Sequence, residues 1–291
     1  SSDLRPTFCI EVFMTESNNV KTADFSFLDT AGMLKLINDE DKLVALAVEK
    51  ALPDIARAAD AAYERLKNGG RMFYFGCGTS GRLGLIDASE IACTYGVKDK
   101  ILAVVAGGKK GISDAAVGNE DSFSNGRRAV KRCGLGANDV AVGLSASGRT
   151  PYVAGALQAA KEAGALTVGI CNNLQSEISS NADVGIELDT GAEVIEGSTR
   201  MKAGTSQKMV LNMLSTVLMT RLGKVYKNYM IHMTPYNEKL KVRAARIVAS
   251  CSGCDEKEAE KLLKDGDYKI SLAVVMVEQN TPGLEKLFAR L

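Results

Sequence analysis

The chain has 291 residues, 46% of them hydrophobic and 24% charged, with a formal net charge of +1. That length and apolar content suffice for one large α/β domain with a small appendage, or for two modest domains. Mixed charge of near-zero sum argues against a nucleic-acid partner, and apolar stretches of only strand length argue against a membrane span. No charged region followed by a long apolar one opens the sequence, so no signal peptide is expected. Seven scattered cysteines, an odd number, read as reduced thiols of a cytoplasmic protein. Cys251 and Cys254 form a lone CxxC, and His232 is the single histidine, so neither a metal nor a redox site is expected.

Residues 1–30 are polar and irregular and read as an N-terminal arm. From Ala31 to Leu66 apolar residues recur at helical spacing, with Pro53 opening a second helix and Asn68-Gly69-Gly70 closing it. Arg71–Phe75 is a first strand, Thr79–Tyr95 a helix and Ile101–Val105 a second strand. Gly107–Asn125 is a polar, glycine-rich loop with room for one helical turn. A helix at Arg127–Cys133 leads to a strand at Asp139–Leu144, a helix at Thr150–Ala163, and strands at Leu166–Cys171 and Val184–Leu188. Strands alternating with helices predict a parallel sheet covered on both faces. Ser198–Leu222 is helical, with Val210, Leu211, Leu214, Val217 and Leu218 as its buried stripe. Beyond Pro235 the pattern is all helix: Asn237–Ser250, Asp255–Lys264, Tyr268–Glu278 and Pro282–Leu291. The domain reading is an arm (1–30), an α/β domain (31–235) and a helical C-terminal unit (236–291).

Two loops sit at strand-to-helix junctions. The first is Gly76-Cys77-Gly78-Thr79-Ser80-Gly81; the second, about 70 residues on, is Ser145-Ala146-Ser147-Gly148-Arg149-Thr150. Hydroxyls and free N–H groups at a helix start suit a phosphate without a metal. Helix capping would explain either loop alone; the two together point to a ligand. The first loop matches GxGxxG, but Ala106-Gly107-Gly108 follows the second strand where a dinucleotide site would place an acidic residue. No Gly-Lys-Ser/Thr makes a nucleotide loop. Glu90, in Asp87-Ala88-Ser89-Glu90, and Glu120, in Gly118-Asn119-Glu120-Asp121, are the carboxylates placed to act as acid or base. Glu193 and Glu196 are further candidates.

At these residues the chain resembles the sugar isomerase (SIS) domain proteins, and within them the N-acetylmuramic acid 6-phosphate etherases. The carrying segments are Ile37–Lys42, Gly76–Glu90, Gly118–Ser122, Ser145–Gly155, Glu196–Thr216, Arg221–Tyr226 and Asn237–Leu240. The resemblance implies a three-layer SIS domain with a five-stranded parallel sheet, a small all-helical C-terminal unit and a homodimer. It implies cleavage of the lactyl ether of an amino-sugar phosphate with no metal or organic cofactor. By motif position it assigns Glu90 as the acid, Glu120 as the base, and Gly78, Thr79, Ser80, Ser145, Ser147, Arg149 and Thr150 to the phosphosugar. Glu193 falls, more loosely, where the isomerase branch has its base. Two departures from the family pattern stand beside the site: Cys77 in the first loop, and Ile91-Ala92-Cys93 after Glu90. An aldose–ketose isomerase and a non-catalytic phosphosugar sensor are the competing readings.

Overall fold

The structure is a computed structural model that describes residues 14–114 and 120–278. Three short 3₁₀ turns, Met14–Glu16, Val20–Thr22 and Phe25–Phe27, precede α1 (Thr30–Lys50) and α2 (Leu52–Lys67). The α/β body follows as β1 (Met72–Gly76), α3 (Gly78–Tyr95), β2 (Ile101–Val105), α4 (Gly108–Ser113), α5 (Phe123–Cys133), β3 (Val140–Ser145), α6 (Pro151–Glu162), β4 (Leu166–Cys171), α7 (Glu177–Asn181), β5 (Val184–Glu187) and α8 (Lys202–Arg221). Three helices, α9 (Glu238–Ser252), α10 (Glu256–Asp265) and α11 (Ile270–Glu278), complete the described chain.

The five strands are all parallel, in the order β2-β1-β3-β4-β5. β1, β3 and β4 are buried along their whole length, as continuous apolar runs covered on both faces must be. One face of the sheet packs on α1, α2, α3 and α8 through residues such as Val48, Ala58, Leu66, Tyr74, Ile91, Leu144, Leu211 and Leu214. The other packs on α5, α6 and α7 through Phe73, Phe75, Val130, Tyr152, Val153, Ala156 and Ile178. A third apolar cluster, with Ile231, Met233, Val248, Leu263, Ile270 and Val274, lies in the helical C-terminal region. Each fully buried Phe or Leu of these clusters contributes about 1.5–3 kcal/mol through apolar burial.

The order of the strands positions the site. The chain leaves β1 to one side to form β2, then returns to form β3 on the other side. The loops after β1 and β3 therefore face each other across a topological switch point, where open α/β sheets bind ligands. Gly76 pairs with Leu144, so the two glycine-containing loops leave adjacent strands at the same height.

Several elements differ from the sequence reading. The glycine-rich loop after β2 carries a six-residue helix, α4, and α7 was not expected. Its five residues are too few for periodicity to register, and it is held by Ser176, whose side chain caps Ser179 N–H. The helix expected from Ser198 begins at Lys202, after turns through Ser198 and Thr199. The helix expected at Pro282–Leu291 lies outside the described residues, as do Val117, Gly118 and Asn119 beside Glu120.

Candidate phosphosugar site

The second loop is built around Ser145, which is 2% exposed. Its hydroxyl accepts the Gly148 N–H at 3.0 Å and lies 2.7 Å from Thr150 Oγ1 and 3.3 Å from Ser147 Oγ. Three hydroxyls thus converge within one turn. Gly148 has φ +72°, and a Cβ there would lie 2.2 Å from Ser176 Cβ, so the turn demands glycine. In the first loop Gly81 lies against the end of β1: its Cβ would meet the Gly76 carbonyl oxygen at 2.5 Å. That contact seats the N-terminus of α3 directly on the strand end.

The helix starts fall into two groups, and α3 and α6 share with α2, α4 and α8 the absence of a side-chain cap. Asp29, Ser122, Asn237 and Asp255 each cap α1, α5, α9 and α10 with their own side chains. Cys77 before α3 and Thr150 before α6 make no such bond. The hydroxyls of the second loop therefore do not serve as the side-chain cap of α6, and the first-turn N–H groups of α3 remain free to meet an anion.

Both loops open on one cavity of about 290 Å³, lined by Cys77, Gly78, Thr79, Ser80, Glu120, Ser145, Ser147 and Thr150, with Glu16 and Thr199. A larger hollow of about 630 Å³ beside β2, lined by Val104, Gly107 and Arg132 among others, lacks this convergence of hydroxyls. Glu120 enters the lining from the segment before α5, and its carbonyl accepts the Tyr152 N–H at 2.9 Å, tying it to the first turn of α6. Burial, with the negative charges of Glu120 and Asp121 nearby, pushes the Cys77 thiol up to about 12. Cys77 is therefore a neutral thiol at physiological pH and no nucleophile. Among the described residues no group of three or more His, Cys, Asp or Glu side chains could hold a metal ion. No described helix is long and apolar enough to cross a membrane.

The structure brings Gly78, Thr79, Ser80, Glu120, Ser145, Ser147 and Thr150 together; it does not bring Glu90, Arg149 or Glu193 into the same cavity. Arg149 is an exposed residue of the second loop. Glu193 is 1% exposed, and its two carboxylate oxygens accept the Lys202 and Ala203 N–H groups at 3.0 and 2.9 Å. It caps α8, and burial raises its pKa despite those two bonds. Glu90 lies twelve residues into α3, about 18 Å along the axis from the helix start that lines the cavity. It is exposed, on an outer face shared with Ile86 (50% exposed) and Cys93.

Sequence reasoning missed Glu16 and Thr199. Thr199 sits in the Ser198-Thr199-Arg200 turn, where the pattern predicts helix and α8 begins only at Lys202. Glu16 belongs to the presumed arm, where polar 3₁₀ turns carry no periodic signal. The available hint was a cluster of small polar residues around it (Thr15, Ser17, Asn18, Asn19), which bond side chain to backbone readily.

The SIS domain family model matches residues 134–217, and that of the glucokinase regulatory protein N-terminal SIS domain matches residues 54–161. An N-acetylmuramic acid 6-phosphate etherase of Escherichia coli O81 (strain ED1a) is 48% identical over 272 residues, 93% of this chain and 91% of that protein. An etherase of the same name from Shigella dysenteriae serotype 1 (strain Sd197) is 47% identical over 277 residues, covering 95% and 93%. Among solved structures, phosphoheptose isomerases from Neisseria gonorrhoeae (TM-score 0.52, 20% identity, 66% of this chain and 100% of that one) and Francisella tularensis (TM-score 0.51, 19%, 66% and 98%) share the fold.

Proposed function

The chain belongs to the N-acetylmuramic acid 6-phosphate etherase family, and we propose how its pocket carries out the cleavage that family is named for. The protein is an enzyme, a carbon–oxygen lyase that splits the lactyl ether of N-acetylmuramic acid 6-phosphate to N-acetylglucosamine 6-phosphate and D-lactate. The single observation that carries our reading of the site is the convergence of Ser145, Ser147 and Thr150 with Glu120 on one cavity at the switch point.

The chemistry asks for few groups. An alkyl ether resists hydrolysis, but an open-chain sugar has an aldehyde at C1 that acidifies the proton on C2. A base removes that proton, an acid protonates the ether oxygen at C3, and lactate departs. Water then adds across the alkene. The sequence of steps calls for no side-chain nucleophile and no metal. The hydroxyl cradle takes the 6-phosphate and so fixes C2 and C3 relative to the carboxylates. Glu120 serves as the base. Glu90 serves as the acid, and its distance from its own cavity along α3 leads to the second part of the proposal: the enzyme is a homodimer in which Glu90 of each subunit completes its partner's pocket. The exposed Ile86 and Cys93 beside Glu90 would be covered by that pairing. Arg149 is assigned to the phosphosugar from the rim, and Glu193 to holding α8 in place, which replaces its reading as a substrate group. We place the enzyme in the cytoplasm, and divide its chain near residue 235 into the SIS domain and a helical unit.

The test is D-lactate release from N-acetylmuramic acid 6-phosphate by the wild type and by Glu90→Ala. Release by the wild type that is lost in the variant supports the reading. A folded wild type that binds the phosphosugar and releases no lactate overturns it, leaving an isomerase or a sensor.

A further inference from the structure

The N-terminal segment is fastened across the mouth of the pocket on both sides of Glu16. On one side, Thr15 (1% exposed) donates its N–H to Asn173 Oδ1 at 3.1 Å, and Asn173 Nδ2 donates to Thr15 Oγ1 at 2.8 Å. The same Nδ2 reaches the carbonyls of Ala146 and Ser147, within the hydroxyl-bearing loop itself, at 3.4 and 3.2 Å. On the other side, Asn18 donates to Glu196 at 2.9 Å, Asn19 to the Ala192 carbonyl at 3.2 Å, and Thr22 Oγ1 to the Val194 carbonyl at 2.9 Å. Glu16 is the side chain this strap holds at the cavity, and it joins the lining with both loops. Among the described residues its carboxylate has no hydrogen-bond partner.

This gives the pocket two unlike ends. The loop end offers hydroxyls and backbone N–H groups, which donate to an anion. The strap end offers a carboxylate, which accepts hydrogen bonds and disfavours a phosphate in the same space. A molecule that suits both ends carries its phosphate at one end and a neutral hydrogen-bond donor at the other. We propose that Glu16 is a substrate-positioning residue whose carboxylate accepts a hydrogen bond from the sugar, either a ring hydroxyl or the acetamido N–H. This inference rests on the phosphosugar reading above and adds to it the group that orients the sugar once the phosphate is seated.

The experiment measures direct binding of N-acetylglucosamine 6-phosphate, glucose 6-phosphate and inorganic phosphate by calorimetry, to the wild type, Glu16→Ala and Glu16→Gln. In Glu16→Ala the amino-sugar phosphate is expected to bind at least about 10-fold more weakly, while inorganic phosphate binds as well as to the wild type or better. Glu16→Gln, which keeps an acceptor oxygen of the same reach, should recover most of the loss. A loss confined to the N-acetylated ligand assigns the amide N–H; a loss shared by glucose 6-phosphate assigns a ring hydroxyl. Unchanged sugar-phosphate affinity in Glu16→Ala overturns the proposal. So does a parallel loss of inorganic phosphate, which would make the strap a purely structural brace. Lactate release by the wild type is assayed alongside. Its absence would count against the etherase chemistry and not against Glu16, whose binding signature is read independently of turnover.

Discussion

Two sets of carboxylates occupy neighbouring parts of this molecule and behave in opposite ways. Glu193, Glu40 and Asp87 are each at most 5% exposed and bonded on every side: to the start of α8, to Lys202 with Asn19, and to Tyr74 with Ser215. Glu16 and Glu120 line an open cavity and are exposed. A buried carboxylate whose oxygens are already engaged has nothing left to offer a substrate. The buried set holds the strap, α3 and α8 at fixed positions around the pocket, and the open set is free to meet a ligand. Burial alone, which raises the pKa of Glu193 and Asp87, is thus a poor guide here to which acid does chemistry.

The comparison breaks most sharply at the open carboxylates and at Glu90. Glu120→Gln and Glu90→Gln should each lower kcat by about 10²–10⁴-fold, the usual worth of one acid or base, with the fold intact by circular dichroism. Mixing the two inactive variants tests the shared pocket. If Glu90 works in the partner, a mixed dimer has one pocket with both groups intact, and activity returns to about half the wild-type level per mixed dimer. If Glu90 works in its own subunit, every pocket carries a defect and no activity returns.

Next in size is an effect on stability. Lys202, 2% exposed, sits 2.6 Å from the buried Glu40, so each charge depends on the other. Lys202→Met leaves Glu40 buried without its main partner and should cost about 3–5 kcal/mol, read as a fall in the urea midpoint. A midpoint that does not move would show that Asn19 and Lys21 already satisfy Glu40.

A smaller effect falls on the phosphate cradle. Ser145→Ala removes a hydroxyl that also organises Ser147, Gly148 and Thr150. One hydrogen bond to a charged ligand corresponds to about a 10- to 100-fold rise in KM. An unchanged KM would remove Ser145 from the cradle.

Much of this frame was legible in the sequence, and the exceptions have physical reasons. The five strands announce themselves as short apolar runs, and the three inner ones are buried along their whole length. The meeting of the loops at Gly76–Ser80 and Ser145–Thr150 follows from their places after strands. Glu193 meets the N–H groups of α8, which begins four residues beyond the Ser198 start that the pattern predicts. Once the turn through Ser198 and Thr199 is recognised, a helix beginning at Lys202 needs an acceptor, and Glu193 is the carboxylate that meets it. Glu16 was invisible for the converse reason. Its position comes from bonds made by Thr15, Asn18, Asn19 and Thr22 to residues 158 to 178 positions away, and no local pattern encodes such contacts.

The smallest effect distinguishes the buried set by its pH dependence. Burial raises the Asp87 pKa above its ordinary 3.8, although Tyr74, Lys208 and Ser215 each favour the anion and offset part of that rise. The folded protein therefore prefers the protonated acid more than the unfolded chain does. The stability from that preference is complete below pH 3.8 and is lost as pH climbs through the raised value. Asp87→Asn has no proton to lose. Its urea midpoint relative to wild type should rise as the pH is taken from about 4 to about 7 and then level off. Parallel profiles for the two proteins would mean that the hydrogen bonds to Asp87 cancel the cost of its burial. In that case the buried acid of α3 would be as well matched to its charge as Glu40 is to Lys202.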